Sequence, residues 1–179
     1  MTESGSESCQ SVDMLYFDQM DTPFGPAAAS VDDDGAVVEF TFLNGVMANL
    51  WSHDTKAVPE PGRLSHVFEQ VHAFFAGKRR DFELVLRPRG TPFQQRVWLA
   101  LCDIPFGTTI PYQELARRTG DEKAMRAVGA ANGKNPIALI IPCHRVIGKN
   151  GSLTGYGGGL PLKRALLDFE MPKLQLDLL

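Results

Sequence analysis

The chain has 179 residues, 44% hydrophobic and 22% charged, with a net charge of −3. That balance fits one ordinary folded domain or two small ones and excludes a disordered chain. No apolar run is long enough to span a bilayer, and the polar, acidic start MTESGSESCQ excludes a signal peptide of ordinary design. The expectation is a soluble protein of the cytoplasm, or of the nucleus in a eukaryote, without a membrane partner.

Three widely spaced cysteines, Cys9, Cys102 and Cys143, form no disulfide framework and no paired-cysteine metal knuckle. The histidines His53, His66, His72 and His144 are scattered, so no metal site is expected. The charge is unevenly placed. Residues 1–76 carry two basic groups against twelve acidic, whereas residues 77–164 carry fifteen basic against six acidic. A basic segment inside an acidic chain suits a positive face turned toward phosphates, although solvated surface charge is the ordinary alternative.

In chain order, the first dozen residues read as a flexible tail. MLYFDQM, PFGPAAASVD and AVVEFTFL read as short strands separated by turn signals at Asp21–Pro23 and Asp32–Gly35. A loop-like stretch from Asn44 ends in a Pro/Gly cluster. Leu64, Val67, Phe68, Val71, Phe74 and Phe75 then recur at helical spacing, and Gly77 closes that helix. Phe82–Leu86 reads as another strand and Arg87–Pro92 as a linker.

Beyond the linker the pattern turns helical. Thr91 is an expected N-cap and Pro92 the first helical residue, with Phe93, Val97, Leu101 and Ile104 on one stripe that makes Cys102 an expected core thiol. YQELARRTG and DEKAMRAVGAANGKNP are two short helices joined by a Gly-containing turn, the proportions of a helix-turn-helix. In the second, Ala124, Ala127, Gly129, Ala130 and Ala131 surround Arg126. Small residues permit close approach, either to another helix or, with Lys123, Arg126 and Lys134 nearby, to a nucleic-acid groove.

The run Ile137–Ile141 reads as a buried strand stopped by Pro142, directly before Cys143, His144 and Arg145. A cysteine is nucleophilic as its thiolate, an imidazole can take its proton, and a carboxylate can orient the imidazole. On a strand Cys143 and His144 would point to opposite faces, so contact needs a turn or a bridging water. These residues alone leave two readings open, a catalytic thiol or an inert buried one.

The stretch NPIALIIPCHRVIGKNGSLTGYGGGLPLKRALLDFE, with TPFQQRVWLALCDIPFGTTIPYQELARRTG and AMRAVGAANGKNP before it, closely resembles the O6-alkylguanine-DNA alkyltransferases. The resemblance covers about residues 91–170; residues 1–86 match in layout only. It implies an α/β N-terminal domain over 13–86, a small antiparallel sheet plus helix of ribonuclease H-like type, after a flexible tail over 1–12. A linker over 87–91 and a mainly helical, winged-helix-like domain with the helix-turn-helix over 92–179 would follow.

The resemblance also implies a set of roles. Cys143 would accept the alkyl group, His144 would deprotonate it through a water, and Glu170 would orient His144. Asn135 would tie the cysteine turn in place. Tyr112 would contact the flipped nucleotide and donate to the guanine ring. Tyr156 and Gly157 would wall the base pocket, and the carbonyls of Cys143 and Val146 would read the exocyclic amine. Arg126 would fill the place of the extruded base, on a helix whose Ala127, Ala130 and Lys134 meet the minor groove. The implied activity is suicidal, single-turnover repair of O6-alkylguanine in double-stranded DNA by a monomer without cofactor, with O4-alkylthymine left open as a second substrate.

Two departures from the family pattern stand out. Gly157 replaces a serine found in some members, and Ala138 replaces a proline, which would widen the pocket. The N-terminal cysteines and histidines that bind zinc in some members are absent. Competing readings are a lesion-recognition protein without transfer, which the presence of Cys143 opposes, a cysteine hydrolase, and a transcription factor with an inert thiol.

Overall fold

The computed structural model describes residues 14–44 and 57–171, so the expected tail, Cys9, His53, most of the loop after Asn44 and the last eight residues lie outside the described residues. β1 (Tyr16–Thr22) and β2 (Gly25–Val31) form an antiparallel hairpin. The Thr22 hydroxyl donates to the Gly25 carbonyl and accepts from Phe24 N, and Gly25 takes a φ of 105° that favours glycine. β3 (Val37–Phe42) continues antiparallel to β2, after a turn in which the Asp32 carboxylate accepts from the amides of Asp34 and Ala36.

The expectation from sequence is a small antiparallel sheet; the sheet keeps that core but is mixed, because one short strand adds in parallel. β4 (Val58–Pro59) adds to β1 in parallel, giving the order β3-β2-β1-β4. α1 (Ser65–Phe75) buries Val67, Val71 and Phe74 against this sheet. Gly77, at φ 70°, donates to Phe74 O while Lys78 donates to Ala73 O, a glycine-closed helix end.

Phe82–Leu86 is not the strand its pattern suggests. Only its end pairs, through Val37 N to Val85 O and Arg87 N to Val37 O, and Val85 is exposed. The rest of that edge of β3 is occupied. Phe40 N donates to Pro136 O at 3.0 Å, and Ala138 N donates to Phe40 O at 2.8 Å. One strand edge thus serves two passing segments.

α2 (Pro92–Cys102) starts as expected: Thr91 accepts from Gln94 N, and the Gln94 side chain accepts from Thr91 N, a reciprocal cap. Val97, Trp98 and Leu101 are buried, whereas Cys102 sits on the solvent side of the helix and is exposed, contrary to the expected core position. α3 (Tyr112–Arg118) and α4 (Met125–Gly133) form the helix pair. α4 begins later than the acidic start suggests, because Asp121 caps a separate 3₁₀ turn at Glu122–Ala124. The Trp98 indole donates to Ala131 O at 2.9 Å and fixes α4 to α2. A short parallel pair, β5 (Ile110–Pro111) and β6 (Val146–Ile147), and α5 (Leu160–Glu170) complete the fold. One continuous apolar core runs through both halves.

Ile137–Ile141 is buried but is no strand. Leu139 takes a left-handed φ of 67°, Ile140 N donates to Ala138 O, and Ile141 N donates to Ile137 O. An apolar run reports burial and cannot by itself report backbone geometry. Here the chain meets its hydrogen-bond requirement by turning on itself.

Candidate active site

The turns over 137–141 are bracketed by Asn135, whose side chain is 4% exposed. Its Nδ2 donates to Ile141 O at 2.8 Å and its Oδ1 accepts from Ile137 N at 3.0 Å, so one amide joins both ends. Pro142 then releases the chain into a 3₁₀ turn at Cys143–Arg145. That turn rotates successive side chains apart and resolves the strand objection: Cys143, His144 and Arg145 all lie inside the protein.

α5 brings the carboxylate. Glu170 Oε1 accepts from His144 Nε2 at 2.8 Å, and both side chains are fully buried. Because Nε2 faces the carboxylate, Nδ1 is the ring nitrogen left to accept a proton. Arg145 adds Nε to Oε2 at 2.8 Å and Nη2 to Oε1 at 2.9 Å, and Gly107 N donates to Oε2 at 3.2 Å. Burial alone would raise the Glu170 carboxyl, but the hydrogen bonds from His144 and Arg145 overcome it and hold it at about 2. Burial depresses His144, opposed by Glu170. An imidazole so placed is neutral at physiological pH and able to act as a base.

Cys143 is 5% exposed. Burial raises its thiol, partly offset by a hydrogen bond from Asn135 and the charge of Lys163. Lys163 is itself buried, held down to about 8 by desolvation, with Cys143 acting the other way. Its Nζ donates to Thr154 O at 2.9 Å, and the Tyr112 hydroxyl donates to the same carbonyl at 3.4 Å. Two side chains therefore pin the loop that carries Tyr156 and Gly157. A small cavity of about 10 Å³ lies at the thiol, lined by Cys143, Asn132, Asn135, Ala138, Tyr156 and Gly157 and closed by Thr41 and Phe42 of β3. Val146 is fully buried on β6, next to the cysteine turn.

The other expected group gathers on α4. Arg126, Ala127, Ala130 and Lys134 are all exposed, while Val128, Ala131 and Asn132 face inward. Asn132 Nδ2 reaches Cys143 O at 3.4 Å, so the inner face of this helix touches the thiol's own backbone.

Sequence reasoning gave no role to Arg145, Lys163, Asn132 or Gly107, nor to the two β3 residues. A signal existed for Lys163. Lys163, Leu166, Leu167 and Glu170 share the buried face of α5, and a lysine at a core position of an amphipathic helix needs a partner. Nothing in the sequence marks Thr41 and Phe42, which reach the cavity only through the pairing of Phe40 with Pro136 and Ala138.

Known proteins share the sequence and the fold of this chain. Residues 92–172 match the family described as 6-O-methylguanine DNA methyltransferase, DNA binding domain. The methylated-DNA–protein-cysteine methyltransferase of Mycobacterium tuberculosis is 46% identical over 165 residues, covering 92% of this chain and 98% of its own length. That of Methanosarcina mazei is 54% identical over 161 residues, covering 90% of this chain and all of its own. The crystal structure of Mycobacterium tuberculosis OGT in complex with DNA superposes with a TM-score of 0.80 at 44% identity, over 88% of this chain and 93% of that one. With a matching sequence, a matching fold and a buried thiol beside an imidazole–carboxylate pair, the chain belongs to the methylated-DNA–protein-cysteine methyltransferase family, which performs direct-reversal repair of O6-methylguanine in DNA.

Proposed function

We propose that Cys143 is the alkyl acceptor and that the buried His144–Glu170 pair carries its proton. The 2.8 Å bond between them is the observation that supports this most directly. His144 Nδ1 takes the thiol proton through a bridging water, and the Glu170 carboxylate stabilises the imidazolium that results. The thiolate attacks the carbon on O6. A C–S bond forms, the C–O6 bond breaks, and its electron pair goes to the guanine, whose ring Tyr112 assists by hydrogen-bond donation. The product is a thioether that no group in the site can cleave, so each molecule acts once.

The target atom lies inside a base stack, so the nucleotide must leave it. The exposed face of α4 suits entry into the minor groove of double-stranded DNA. Its alanines permit close approach, Lys134 meets phosphate, and Arg126 offsets the few kcal/mol of unstacking by filling the gap. Tyr156, Gly157 and the carbonyls of Cys143 and Val146 then surround the flipped base. The protein acts as a monomer, in the compartment that holds the genome. Among the described residues no helix is long and apolar enough to cross a membrane.

Intact mass after mixing with excess duplex containing O6-methylguanine tests the assignment. One added methyl on Cys143, absent in Cys143→Ser, is expected. An unmodified protein, or several methyls removed per molecule, would refute it.

A further inference from the structure

Glu170 is the last residue of α5. Helix ends fray, and the C-terminal end of a helix dipole disfavours a carboxylate. Arg145 and His144 answer the charge, but neither fixes the backbone of that last turn. The preceding residue does. The Phe169 ring lies 5.5 Å from Phe74, 5.6 Å from Phe75, 6.2 Å from Phe24 and 6.4 Å from Phe106. The first three belong to α1 and to the β1–β2 turn.

The second hold on the carboxylate is built the same way. Gly107 N donates to Glu170 Oε2, and the neighbouring Phe106 packs on Phe74 at 5.6 Å. Gly107 takes a φ of 72°, and a β-carbon there would come within 3.2 Å of the Glu170 carbonyl. Both chain segments that place the carboxylate are therefore anchored, one residue away, in a cluster of N-terminal phenylalanines. None of Phe24, Phe74, Phe75 and Phe169 lines the cavity at Cys143. The charged groups facing this junction are Arg79 and Arg80, which line the surface beside Phe106 and Phe169, and Arg145, with Arg80 and Arg145 over Phe106 at 5.5 and 6.0 Å and His144 on the carboxylate itself.

We infer that Phe169, clasped by Phe24, Phe74 and Phe75, is a positioning residue for Glu170, so that the N-terminal half takes part in alkyl transfer from a distance. The inference rests on the reading of Glu170 as the group that orients His144. Loosening the clasp lets the last turn of α5 fray, lengthens the His144–Glu170 bond and weakens His144 as a base.

The test is the single-turnover rate of methyl transfer from an O6-methylguanine duplex to the full chain, over a pH series, for Phe24→Leu, Phe169→Leu, Glu170→Gln and the two doubles with Glu170→Gln. Glu170→Gln alone should slow transfer about 100-fold or more, as loss of an oriented base does. Each leucine variant should slow it several-fold with unchanged DNA affinity. That loss should shrink as pH rises and hydroxide replaces His144 in ionising the thiol. In the Glu170→Gln background each should cost less than about twofold, because residues acting through one group are not additive. Equal costs in both backgrounds, or a pH-independent loss, overturn the inference while leaving Glu170 its role. An unchanged rate for Glu170→Gln overturns both. Should Phe169→Leu fail to fold, Phe24→Leu at the hairpin turn decides the matter alone.

Discussion

Arg145 holds both oxygens of Glu170, Nε on Oε2 at 2.8 Å and Nη2 on Oε1 at 2.9 Å. The carboxylate that faces His144 is thus also the partner of the next residue in the chain. Side chains 144 and 145 share one acid, and the acid belongs as much to the fold as to the chemistry.

Arg145→Ala should therefore cost stability before it costs reactivity. Removing one partner of a buried ion pair leaves the other uncompensated, at about 3–5 kcal/mol. Urea unfolding should show a loss of that order. A loss under 1 kcal/mol would mean that His144 and Gly107 N suffice for the carboxylate.

Acid should unfold the protein through the same pair. Glu170 is held at about 2 against an ordinary 4.5, so its contribution is complete above 4.5 and vanishes as pH falls toward 2, roughly 3 kcal/mol in all. His144 is depressed below 6.5, so the unfolded chain binds its proton first. That contribution is present above 6.5 and is lost as pH falls below it. Denaturant midpoints should be flat near neutrality and decline from about pH 6.5 downward, and Glu170→Gln should flatten the part between 4.5 and 2. A midpoint constant down to pH 4 would contradict the buried neutral imidazole.

Alkylation should destabilise the protein. Cys143 is 5% exposed and packed against Asn135, Ala138 and Tyr156 around the cavity, so the added methyl of the thioether must displace neighbours. Overpacking of this kind costs about 1–3 kcal/mol. Melting curves before and after stoichiometric reaction should show the transition lowered by several degrees. An unchanged transition would mean that the loop carrying Tyr156 opens freely.

Lys163→Met should slow the thiol chiefly near neutral pH. The ammonium favours the thiolate of Cys143 and holds Thr154 O. Without it the thiol ionises later, and reaction with a small electrophile such as iodoacetamide should fall about 3- to 10-fold at pH 7 and recover at higher pH. A loss independent of pH would assign Lys163 to loop anchoring alone.

Much of this could be read from residues. The Thr91 cap, the α1 stripe and the burial of Ile137–Ile141 follow from local pattern, and the stretch around Cys143 names the site. What local pattern misses is contact made by partners far apart in sequence. Phe82–Leu86 reads as a strand because nothing within it reveals that Pro136–Ala138 already holds the edge at Phe40. Leu139 reads as strand because a left-handed leucine is rare, and only the Asn135 bracket makes it worthwhile. Cys102 reads as core because its helix is apolar, yet it faces outward one position from buried Leu101.

The outer edge of β3 has one further consequence. An edge strand offers a row of unpaired amides and carbonyls to any extended chain it meets, and aggregation begins there. In this fold Val85–Arg87 and Pro136–Ala138 occupy that row. The segment leading to the acceptor thiol thus shields the sheet from self-association. An N-terminal half expressed without residues 136–138 would present Phe40 uncovered and would be expected to pair edge to edge with its own copies.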